Sequence, residues 1–131
     1  MLLLANFLLI GACLLHLVAG DRELAILGPT LASENPVLHR ERWTMARAGW
    51  HWVSLDLFLA AFVLSLHHLG SDLLPLDPLK KYLALYFFLN SLTWLATITI
   101  FPAFRRNYLK LGQWLLLLVI AALLWFAPLN S

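Results

Sequence analysis

MLLLANFLLIGACLLHLVAGDRE, residues 1–23, decides the fold. Twenty residues pass without a Lys, Arg, Asp or Glu, and then Asp21, Arg22 and Glu23 arrive together. A helix needs roughly 20 mostly apolar residues to cross the ~30 Å hydrocarbon layer of a bilayer. The same pattern recurs three times. Gly49–Leu69 carries a single carboxylate, Asp56, while Tyr82–Phe101 and Leu111–Leu129 carry no formal charge. Inside lipid, backbone N–H and C=O groups must be satisfied within the segment, so each span is expected to be helical. The expected architecture is an all-α, four-helix transmembrane bundle, a single membrane domain with spans at about residues 2–20, 47–69, 81–101 and 111–128.

Composition agrees. Of 131 residues, 62% are apolar and 12% charged, with mean hydropathy +0.81. A soluble domain carries about a quarter charged residues, so this chain cannot coat a water-facing surface, and a nucleic-acid module is excluded with it. The net charge of +2 is too small to argue an anionic partner. A single cysteine, Cys13, excludes an internal disulfide framework and a cysteine-rich zinc site. A signal peptide ending at Val18-Ala19-Gly20 is disfavoured because the basic n-region is missing.

Between the spans, Asp21–Arg42 reads as a polar first loop broken at Gly28-Pro29 and Asn35-Pro36, with Leu24–Leu31 as a short interfacial turn. Pro75 and Pro78 block helix continuation through the second loop, and Pro102–Lys110 is a tight basic third loop. Arg22, Arg40, Arg42, Arg47, Arg105, Arg106 and Lys110 fall on one side, against Lys80 and Lys81 on the other. Positive residues favour the cytoplasm. That count puts loops 21–46 and 102–110 in the cytoplasm and both termini outside, with a bacterial inner membrane as the expected location. Trp43, Trp50, Trp52, Tyr82, Tyr108, Trp114 and Trp125 gather toward span ends, as interfacial anchors do.

Polar residues within the spans are the informative ones, because hydrocarbon penalises them. Asn6, Cys13, His16 and Gly20 share one face of the first span. Arg47, His51, Ser54 and Phe58 share a face of the second, with Trp52 and Asp56 beside it. Tyr82, Tyr86, Asn90, Thr93 and Thr97 form a stripe along the third. At about 1.5 Å per residue, His16 and His51 both lie about 6 Å inside the same boundary, with Asp56 about 13 Å and Asn90 about 16 Å deep. His16 is thus expected to face His51, and Asp56 to face Asn90, in a polar cluster rimmed by Arg47.

His16, Arg47, His51, Asp56 and Asn90 are therefore the candidate ligand-binding residues, and His16 with His51 the candidate metal or haem ligands. Each also has a purely structural reading: Asp56 as hydrogen-bonding glue, His16 as a packing residue, Arg47 as a snorkelling cation. The sequence holds no HExxH, CxxC, GxSxG or phosphate-binding glycine loop. Arg47-Ala48 matches the start of the Arg-Ala-x-x-Asn-x-x-Glu signature of small four-span glutathione-transferase-like membrane proteins. His51 and Ser54 stand where that signature needs Asn and Glu, so the family is not assigned. The leading expectation is a small multi-pass protein that binds or transports a proton, a metal ion or an amphiphile through the cluster. The alternatives are a structural subunit of a larger membrane complex, a redox subunit holding haem or a metal ion, and a membrane enzyme acting on a lipid or quinone. Partners expected from the sequence are the lipid bilayer and a homo-oligomer or larger complex.

Overall fold

The computed structural model describes residues 1–28, 35–71, 75–100, 108 and 111–128. Among them are four helices and no strand: α1 (Leu2–Leu27), α2 (Pro36–His68), α3 (Leu76–Ile100) and α4 (Gln113–Trp125). The chain is an all-α bundle in which α1, α2 and α3 are each long and apolar enough to cross a membrane. Only 28% of each spanning window is buried within the protein. The remaining apolar surface faces outward, an arrangement water does not tolerate on this scale.

Helix bounds differ from the sequence expectation in two instructive places. The first is the polar loop. The helix of the first span runs on through Asp21-Arg22-Glu23 to Leu27, and the second begins at Pro36. Asn35-Pro36, read from sequence as part of a loop, starts a helix instead. Asn35 Oδ1 accepts from the Leu38 backbone N–H at 3.1 Å, an N-cap bond, and Pro36 occupies the first helical position where its missing N–H costs nothing. The second is the fourth span. α4 has 13 residues, about 20 Å of helix, which is short of the hydrocarbon thickness. The basic third loop lies largely outside the described residues.

α2 ends in a glycine motif. Gly70 has φ +83°, its N–H donates to His67 O at 3.0 Å, and Ser71 N–H donates to Leu66 O at 3.1 Å. A side chain at position 70 would be strained in that left-handed conformation.

Contacts divide the chain into two compact units: Phe7–Val63, and Met1–Asn6 with Leu64–Ser131. The first is a helical hairpin. Leu9, Ala12 and Cys13 of α1 and Ser54, Leu57, Ala60 and Ala61 of α2 are its buried residues near mid-span, and the small ones let the helices approach closely. The second unit is centred on the α3–α4 pair, whose core is Leu83, Ala84, Phe87 and Ser91 against Ile120, Ala121 and Leu124. Three side-chain bonds from α3 set the antiparallel register of that pair. Ser91 Oγ donates to Trp114 O at 2.8 Å, Trp94 Nε1 to Leu111 O at 3.2 Å, and Lys80 Nζ to Ala127 O.

Candidate functional site

The site forms in the hairpin where its apolar stretch gives way to charge. Because α1 continues past Gly20, Asp21 lies opposite α2 rather than in a loop. Its Oδ1 accepts from Arg47 Nη2 at 2.6 Å, and the same oxygen is 3.8 Å from His51 Nε2. Arg47 and His51 are four residues apart on α2, so one carboxylate meets two successive turns. The Arg47 guanidinium also sits 5.2 Å from the centre of the Trp43 ring. All three polar side chains are about two-fifths exposed. An ion pair this open adds little stability, which leaves its groups accessible to a ligand or proton.

One turn deeper lies a second set. The Trp50 indole stacks flat on the His16 imidazole, with ring centres 4.0 Å apart and planes within 6°. Trp50 Nε1 donates to the His16 carbonyl at 2.9 Å. Gly20 makes this possible: a Cβ at that position falls inside the Trp50 ring. Beneath them, Ser54 is buried, with its Oγ 2.9 Å from His16 Nδ1 and 3.3 Å from the Trp50 carbonyl. Cys13 Sγ donates to the Ser54 carbonyl at 3.7 Å.

The Ser54 hydroxyl has one hydrogen and two neighbours that can accept it. When Ser54 donates to Trp50 O, His16 Nδ1–H donates to Ser54 Oγ and Nε2 carries the lone pair. When Ser54 donates to Nδ1, the imidazole carries its proton on Nε2. Rotating one hydroxyl therefore goes with a change in which imidazole nitrogen holds a proton. Nε2 itself has no hydrogen-bond partner among the described residues.

Of the residues singled out from sequence, His16, Arg47 and His51 fall in this stretch of the hairpin. The histidines take different partners: His16 pairs with Ser54 and Trp50, His51 with Asp21. Asp56 lies on an exposed face of α2, two residues past the buried Ser54 and so on the other side of the helix. Asn90 belongs to the other unit, where its Nδ2 donates to Tyr86 O at 2.9 Å. Thr93 and Thr97 likewise donate to the carbonyls four residues earlier, so much of the third-span stripe is satisfied by its own helix. Among the described residues no three His, Cys, Asp or Glu side chains group as a metal site needs.

Three participants were not recognised from sequence. In the sequence Asp21 reads as a loop charge, Trp50 as a span-end aromatic beside His51, and Ser54 as a residue sharing the His51 face without a role. The available signal was the antiparallel hairpin itself. Gly28–His39, Leu24–Trp43, Asp21–Arg47 and His16–Ser54 are bonded pairs whose numbers run in opposite directions at a nearly constant sum. Lys80 is the other surprise: counted as a loop charge, it is 4% exposed. Comparison with protein-family models, curated proteins and solved structures returned no match.

Proposed function

We propose that this chain is a small multi-pass membrane protein that binds and passes protons at the charged end of its α1–α2 hairpin. The observation carrying this reading is the pairing of each histidine with a group able to exchange a proton with it. His51 faces the Asp21 carboxylate already held by Arg47, and His16 faces the Ser54 hydroxyl. A fixed cation, a carboxylate, two imidazoles and a hydroxyl on neighbouring turns are the parts a proton relay uses. A metal ion is less well served, since the described residues offer no three-ligand group. The excess of Lys and Arg in loops 21–46 and 102–110 supports a cytoplasmic position for this end, with both termini outside, in a bacterial inner membrane. Burial of Lys80 against the Ala127 carbonyl removes half of the opposing positive signal from the membrane surface.

Proteoliposomes loaded with a pH-sensitive dye test the reading. After an acid jump, wild-type vesicles should equilibrate faster than protein-free ones, and His16→Gln or His51→Gln should slow them at least tenfold. Wild-type flux no greater than that of empty vesicles would sink it.

A further inference from the structure

The α3–α4 unit carries a cavity of about 400 Å³, open on one side and walled entirely by apolar side chains. Leu85 and Phe88 of α3 form one wall; Leu118, Ala121, Ala122 and Trp125 of α4 form the floor and the other. The alanines make it a groove rather than a flat seam. It runs about 12 Å along α4, from Leu118 to Phe126. Its volume lies in the range of small-molecule sites.

Charge stands one helical turn before the lining residue Leu85. Lys81 is four residues before Leu85 and seven before Phe88, so it heads the same face of α3 that forms the groove wall. Its side chain is 56% exposed and Nζ is 2.7 Å from Asp77 Oδ2. Asp77 also faces Lys80, whose Nζ is 3.5 Å away. Two ammonium groups thus share one carboxylate at the first turn of α3, where the helix dipole adds further positive potential.

We propose that this groove is a binding site for one anionic phospholipid, one of its two acyl chains lying between Leu85–Phe88 and the α4 alanines and its phosphate at Lys81. Lipid tails are as apolar as leucine, so groove burial alone does not select a lipid. The selection comes from the Lys81 ammonium, one turn before the groove on the same face of α3. This site shares no residue with the proton cluster and stands whether or not that reading does.

The test uses the full chain in nanodiscs of equal phosphatidylglycerol and phosphatidylcholine, with retained lipid counted by native mass spectrometry. One basic residue near an anionic lipid corresponds to about a fivefold preference, so wild type should retain one phosphatidylglycerol at about that ratio. Lys81→Gln should bring the ratio to about one, and Ala122→Phe, on the open side of the groove, should abolish retention. Equal retention of the two lipids by wild type, a preference unchanged in Lys81→Gln, or full retention by a folded Ala122→Phe overturns the proposal. A second measurement covers a variant that fails to fold. Phosphatidylglycerol brominated in its acyl chain should quench wild-type fluorescence more than Trp125→Phe fluorescence, and by a larger margin than brominated phosphatidylcholine does. Equal margins overturn the proposal too.

Discussion

The hairpin of residues 7–63 and the α3–α4 pair solve the same problem with different chemistry. In the hairpin the charged end adds contacts between side chains, Arg47 to Asp21, His16 to Ser54 and the His16–Trp50 stack, to the carbonyl bonds made by Trp43, Trp50 and Ser54. In the α3–α4 pair the interhelical bonds run from side chain to backbone, with Ser91, Trp94 and Lys80 all ending on carbonyls. A side-chain pair can change protonation or open to a ligand. A carbonyl has no such second state, and a bond to it only holds. The hairpin is therefore where proton chemistry is expected, and the interhelical bonds of the α3–α4 pair serve as scaffold.

Substitutions can break that contrast or sharpen it. The largest loss of stability is expected from Lys80→Met, which leaves the buried Ala127 carbonyl without its charged donor. About 1.5–3 kcal/mol should be lost, read as a lower unfolding temperature in detergent, with proton flux per folded molecule unchanged. Gly20→Ala follows at about 1–3 kcal/mol, because the new methyl group overlaps the Trp50 ring. Here flux should fall along with stability, since the ring that holds His16 is displaced; intact flux in a folded Gly20→Ala protein would separate the stack from the relay. Gly49→Ala is its control, with open space at that position, and should gain about 0.5–1 kcal/mol. Ser91→Ala should cost about 1 kcal/mol by the same thermal assay. Asp21→Asn should cost least, under about 1 kcal/mol, since the pair is two-fifths exposed. Its flux should nevertheless drop most of all. If stability and flux instead move together across the whole series, the division into scaffold and site is wrong.

The same contrast explains what could be read in the chain. Spans show themselves because lipid imposes a length and an absence of charge, and both are properties of a sequence. His16, Arg47 and His51 stand out in the sequence because each is costly in lipid, and all three fall in one stretch of the hairpin. Asp21 was missed for a specific reason: a run of three charges looks like the end of a helix, yet the Leu24 and Gly28 carbonyls found donors in Trp43 and His39 and the helix continued. Lys80 and Ser91 were illegible because their partners are main-chain carbonyls, which every residue has. Asp56 shows the converse failure. Depth counting carries no rotation about the helix axis, which decides a residue's neighbours, and a nine-residue step from Arg47 turns Asp56 half a circle away.

The bond from Lys80 to Ala127 also dictates an order of events during synthesis. At about 20 Å, α4 is too short to enter the bilayer as an independent span. The Ala127 carbonyl, two residues past its end, finds its donor on a helix that has already left the ribosome. Until Trp114 and Ala127 emerge, Ser91 lacks the carbonyl it bonds in the folded chain and Lys80 has only Asp77. A chain cut before residue 113 should show that lack as rapid degradation, although all three of its long helices would be complete.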